Sequence, residues 1–122
     1  MPVKHSDEIA AQSVKGGLKA TIQVLFSGQE APNFAMRRFV IRPGGFMPKH
    51  TNTVEHEQYV LRGQACIGIG MDTFTVHAGD IVFIPEGAPH WYVNNAEADF
   101  EFLCIIPAKK DEIRLIEESN NC

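Results

Sequence analysis

Apolar and polar positions alternate over short runs along the chain, and Gly, Pro, Asn or Asp breaks the pattern about every eight to twelve residues. The runs are Leu18 to Phe26, Phe34 to Arg42, Glu57 to Leu61, Ala65 to Ile69, Thr73 to His77, Ile81 to Ile84 and His90 to Val93. A last long run places Phe100, Phe102, Cys104 and Ile106 on one face. Each is read as a strand. Recurring short strands with turn residues between them predict an all-β sandwich or barrel. No helical period of useful length separates the strands, so a parallel α/β sheet is not expected. The first 15 residues are polar and mixed, and are expected to lie loosely against the body. At the other end, Asp111 to Glu118 is expected to form a short helix.

The run Phe34 to Arg42 carries a conflict. If Phe39 and Ile41 face the interior, Arg37 does too; if Met36 and Val40 do, Arg38 does. Either register sends one arginine inward, which is costly unless it meets an anion or water.

Length and charge narrow the class. The 122 residues suit a single domain over the whole chain, with a core at about 18–106 between a polar N-terminal arm and a polar C-terminal tail. The 11 basic and 15 acidic residues leave a net charge of -4 and no basic stripe, so no nucleic-acid partner is expected. There is no apolar run of membrane-spanning length, and the opening residues are too polar for a signal peptide. The expectation is a cytoplasmic protein with no membrane partner. Cys66, Cys104 and Cys122 form no CxxC pair and are expected to be free thiols.

Three of the five histidines, His50, His56 and His90, stand where strand patterns begin or end. His50 and Asn52 are two residues apart, as are His56 and Gln58, and His90 and Tyr92. In extended chain each pair shares a face. If that face is interior, one cavity receives three imidazoles, two amides and a phenol, a set suited to holding a metal. Gln58 and Tyr92 are placed to orient ligands. Phe102 and Cys104 should reach the cavity wall, with Arg37 a further pocket residue. His5 and His77 lack partners at ligand spacing and are expected at the surface. Trp91 and Tyr59 alternate outward, where aromatic side chains suit a dimer interface.

These stretches resemble a known family. Gly44, His50, Asn52, His56 and Gly63, with their spacing, look like the first motif of the cupins. Gly79, Pro85, Gly87, His90 and Asn94 are similar to the second. The resemblance covers about residues 34–106. It departs at two positions: the family motif has His at the place of Asn52 and commonly Glu at the place of His56. The stretch EHEQYVLRG looks like small single-domain cupins whose metal is held by four histidines. The resemblance implies a double-stranded β-helix jelly-roll barrel, usually a homodimer. It also implies one divalent metal on His50, His56 and His90, with Asn52 as a weak ligand or the holder of a bound water. Imidazole and oxygen donors suit iron, manganese, nickel, cobalt, copper or zinc. With no anionic ligand the ion keeps its full charge and should attract an anionic small molecule. The resemblance points to a metal-dependent, dioxygenase-like enzyme acting on a small organic molecule. The alternatives are a ligand-binding cupin without turnover, or a cupin isomerase or decarboxylase.

Overall fold

The computed structural model describes residues 2–117 and residue 122. A single turn of 3-10 helix, Ser6–Glu8, precedes ten strands. These are β1 Gln12–Ser13, β2 Leu18–Phe26, β3 Phe34–Asn52, β4 His56–Arg62, β5 Gln64–Ile69, β6 Asp72–His77, β7 Ile81–Ile84, β8 His90–Val93, β9 Phe100–Pro107 and β10 Ile113–Leu115. Every paired strand is antiparallel. The strand order β6-β5-β8-β3-β9-β4-β7, with β2 and β10 also on β3, is that of a jelly-roll barrel. No helix among the described residues is long and apolar enough to cross a membrane.

The barrel turns on β3. The apolar run Phe34 to Arg42 suggested a strand ending at Arg42; instead the strand continues past Pro43 to Asn52. Gly44 takes φ 81°, a conformation that glycine adopts without strain, and bends the strand there. Before the bend, β3 pairs with β2 and β9. Beyond it, β3 pairs with β8 and β10, keeping β2 only at Phe46 opposite Leu18. One strand thus belongs to both walls, and the walls face each other across the interior.

The arginine conflict is resolved in favour of Arg37 facing inward. Phe39 and Ile41 are buried, and Arg37 lies on their face, lining the cavity. Arg38 points outward to Glu101 at 3.1 Å. On β9, Phe100, Phe102 and Cys104 are buried as the alternation predicted. Phe102 stacks between Phe39 and Tyr92, with ring centroids 5.0 Å from each. This stack, with Ile41, Val60, Ile67 and Phe100, forms the apolar floor of the barrel.

Four expectations are corrected. The tail forms a strand at Ile113–Leu115 rather than a helix, because β3 offers it a backbone edge opposite His50 to Asn52; Glu118 lies outside the described residues. The N-terminal arm is not loose: β1 pairs with β2, and Gln23 Nε2 donates to the carbonyls of Ser6 and Ile9, both at 2.9 Å. Cys66 and Cys122 form a disulfide with Cα atoms 5.9 Å apart, which ties residue 122 to β5; only Cys104 is a free thiol. Trp91 lies on the face of β8 away from the cavity, as the alternation placed it, but is buried there rather than exposed, against Gly68 and under the Lys49 ammonium, 4.5 Å from its ring. Tyr59 does face outward, beside exposed Leu61, Ile81 and Phe83.

Candidate functional site

A cavity of about 610 Å³ opens between the two walls. It is lined by His50, Asn52, His56 and His90, and by Gln58, Tyr92, Cys104 and Arg37. Phe102, expected on its wall, lies beneath Tyr92 and Phe39 in the floor instead. The registers explain the convergence. His50 pairs with His90 across β3 and β8, and His56 opens β4 on the opposite wall beside Ile84 of β7.

The imidazoles meet on His90. Its ring centroid lies 4.1 Å from that of His50 and 5.3 Å from that of His56. Two of the rings are held from behind. His50 Nδ1 is 2.7 Å from the Pro48 carbonyl, and His90 Nδ1 is 3.0 Å from that of Ala88. A carbonyl oxygen only accepts, so both Nδ1 atoms carry the proton and both Nε2 atoms keep their lone pairs. Burial lowers the pKa of all three, most strongly for His56 and His90, each to about 3. For His56 the Arg37 charge adds to burial, and for His90 the neighbouring His50 does. The cluster is therefore neutral at physiological pH, the state in which imidazole ligates.

Asn52 is fixed by a residue the sequence reading missed. Its Nδ2 donates to Asp111 Oδ2 at 2.7 Å. Asp111 is itself anchored, its Oδ1 accepting from the Thr53 backbone N–H at 3.0 Å. A carboxylate selects the donor end of the amide, so Asn52 presents Oδ1 on its other side, where that atom is buried without a protein partner. The tail also supplies Ile113, Arg114 and Leu115 to the rim, and the N-terminal arm supplies Ser13, Val14 and Lys15. A carboxylate 59 residues from Asn52 and a three-residue exposed strand leave no local pattern to read.

Two residues further in, a second polar layer crosses the barrel. Arg37, Cys104 and Gln58 stand side by side in register on β3, β9 and β4. Arg37 Nη2 donates to Cys104 Sγ at 3.2 Å, and Gln58 Nε2 donates to the Tyr92 hydroxyl at 2.7 Å. Burial raises the pKa of both Tyr92 and Cys104, so phenol and thiol stay protonated.

Six buried side-chain polar atoms among the described residues lack a protein partner, and four of them belong to cavity residues: Arg37 Nε, Asn52 Oδ1, His56 Nδ1 and Gln58 Oε1. Buried polar groups are ordinarily satisfied, and each orphan costs about 1–3 kcal/mol. Their concentration in one cavity leaves hydrogen-bonding capacity there for water or a ligand to fill. A metal fits the outer layer by donor chemistry. With metal–nitrogen bonds of about 2.1 Å, imidazole centroids around one ion fall roughly 4.5–5.5 Å apart, close to the spacings on His90. Among the described residues, no group of three or more His, Cys, Asp or Glu side chains already stands in a metal-holding arrangement.

The chain belongs to the Cupin_2 family, whose cupin-domain model matches residues 37–106. Its fold is similar to that of the polyketide cyclase RemF from Streptomyces resistomycificus, with a TM-score of 0.86 and 29% identity over 98% of this chain and 87% of that one. It is 31% identical over 102 residues to a mannose-1-phosphate guanylyltransferase of Salmonella muenchen, matching 79% of this chain and 21% of the relative. It is 28% identical over 80 residues to acireductone dioxygenase 1 of Nocardia farcinica (strain IFM 10152), matching 62% of this chain and 42% of the relative. The chain thus spans about a fifth and two fifths of the lengths of these two proteins.

Proposed function

We propose that the cavity binds one divalent transition metal and that the chain is a metal-dependent enzyme, dioxygenase-like, acting on a small organic molecule. His50, His56 and His90 would hold the ion, with the Asn52 amide oxygen as a weaker donor. Iron, manganese, nickel, cobalt, copper and zinc all suit these donors. The observation that carries the reading is the pair of backbone carbonyls behind His50 and His90, which leaves both Nε2 lone pairs available. When bound, such an ion supplies Lewis acidity, and, if redox-active, a route to oxygen chemistry.

The protein's own part is to position the ligand. The apolar side chains of Val14, Ile22, Phe39 and Met47 line the cavity, and Ile113 and Leu115 its rim, so a bound ligand would lie largely against apolar surface. Tyr92, held protonated, can donate a hydrogen bond to an oxygen of the substrate. A homodimer through the outward face of Tyr59, Ile81 and Phe83 belongs to the same reading.

A second reading is favoured by the similarity to a polyketide cyclase over nearly the whole chain. In it the same cavity folds a flexible substrate and closes a ring without oxygen. The two separate in one assay. Metal-reconstituted protein is incubated with candidate enolic substrates in air and under argon, following oxygen uptake and product mass. Stoichiometric oxygen consumption supports dioxygenation. Equal turnover under argon supports cyclisation. No metal-dependent conversion in either atmosphere counts against an enzyme of either kind.

A further inference from the structure

We infer that Arg37 is the anion anchor of the cavity, and that the ligand is an organic acid with an apolar, ring-sized body whose carboxylate sits on the Arg37 guanidinium. The inference deepens the proposed function and rests on its placing the substrate in this cavity, but not on a metal being bound.

The charge inventory points one way. The chain as a whole is acidic, at -4. The cavity lining is the reverse: Lys15, Arg37 and Arg114 face it, and no Asp or Glu does. Lys15 and Arg114 are exposed at the rim, while Arg37 is half-buried in the inner layer. Asp111 does not line the cavity, and its oxygens are engaged by Asn52 and Thr53. A cavity lined by one sign of charge focuses the field and concentrates the opposite ion.

Arg37 itself is underused. Arg38, beside it in sequence, pairs with Glu101, and Arg62 pairs with Asp99. Arg37 makes no ion pair among the described residues. Its charge rests on a thiol sulfur, a weak acceptor, and on the Phe39 ring, 5.1 Å from the guanidinium carbon. Its Nε is buried with no partner. A guanidinium is always charged and offers a planar fork of donors that matches a carboxylate. The Phe39 ring beside it attracts the cation without neutralising it.

The neighbours complete the site. The Tyr92 hydroxyl accepts from Gln58 Nε2, so its own proton remains to be donated. Tyr92 is two residues from His90 on the same strand, and Gln58 two from His56. The inner layer therefore lies about 7 Å from the imidazoles, the length of an aromatic ring with one substituent. The walls around it, Ile22, Phe39 and Met47, are apolar.

The test uses 2-naphthoate and its neutral amide, 2-naphthamide, as probes on the full chain, with binding followed by ligand fluorescence. It is run on chelated and zinc-loaded wild type, on Arg37→Met and Arg37→Lys, and on the His50, His56 and His90 triple alanine variant. We expect chelated wild type to prefer the acid by at least about tenfold. Arg37→Met should abolish that preference by weakening the acid far more than the amide, Arg37→Lys should retain part of it, and the triple variant should keep it. Equal affinity of wild type for acid and amide, no binding of either at millimolar concentration, or an acid preference undiminished in Arg37→Met would each overturn the assignment. If Arg37→Met does not fold, Arg37→Lys decides, since loss of the bidentate fork must weaken the acid selectively. An acid preference lost with the metal but not with Arg37 would remove the anchor and leave the metal reading standing.

Discussion

Asn52 and Asp111 are 59 residues apart and joined by a 2.7 Å hydrogen bond that settles which end of the Asn52 amide faces the cavity. The tail, which touches the cavity only at its rim, thereby sets the donor that the first cupin motif contributes at this position. Asp111→Ala should let the amide turn and weaken zinc binding about tenfold, within the range seen when the group orienting a ligand is removed. Asn52→Ala should weaken it by a similar or larger factor, and Asn52→His should strengthen it. Competition with a chromophoric chelator measures all three. Unchanged affinity across the series makes Asn52 a bystander.

Acid should destabilise the metal-free protein over a defined range. His56 and His90 have folded-state pKa values of about 3, below the unfolded value near 6.5. Below 6.5 the unfolded chain takes up protons that the native state refuses. Their contribution is therefore fully present above pH 6.5 and lost as the pH falls toward 3, at up to about 1.4 kcal/mol per pH unit for each histidine. Urea unfolding of chelated protein between pH 7 and 4 measures the slope. A His56→Gln, His90→Gln double variant should show a flatter one; equal slopes would mean that these imidazoles are not held neutral.

Gly68 sits against the indole of Trp91, where a methyl group would run into the ring. Trp91 is buried and cannot swing away without uncovering the outer side of β8. Gly68→Ala should cost about 1–3 kcal/mol, the usual range for overpacking. A shift of less than a few tenths of a kcal/mol in denaturant unfolding would mean that the indole relocates freely.

The disulfide between Cys66 and Cys122 closes a loop with a sequence separation of 56. In the chain-entropy account a loop of that length is worth at most about 4 kcal/mol. Intact mass under non-reducing conditions should be two hydrogens below the reduced value, and dithiothreitol should lower the melting temperature of wild type but not of Cys122→Ser. A melting temperature insensitive to the reductant would show that the link does not stabilise the fold.

Much of the barrel was legible because period-two alternation is a local signal. Phe100, Phe102 and Cys104 fell on one face in sequence and in space, and the choice between Arg37 and Arg38 was already tied to Phe39 and Ile41. Alternation gave the face of Trp91 but not its burial, because both faces of β8 are covered, one by the cavity and the other by Gly68 and Lys49. It gave no sign of β10, whose exposed residues are ordered by the edge of β3 rather than by their own preference. The three histidines were brought to one cavity as their spacing suggested. The partner of Asn52 and the Cys66–Cys122 link were not legible, since both depend on where a distant tail returns.

His50, His56 and His90 together are expected to bind one metal ion. The most direct measurement is metal content by inductively coupled plasma mass spectrometry, after the protein is stripped, re-exposed to an equimolar mixture of the candidate divalent ions and desalted. Wild type should carry about one ion per chain, and the triple alanine variant, confirmed as folded by circular dichroism, should carry none. Equal metal in both proteins, or none in wild type, would contradict the account.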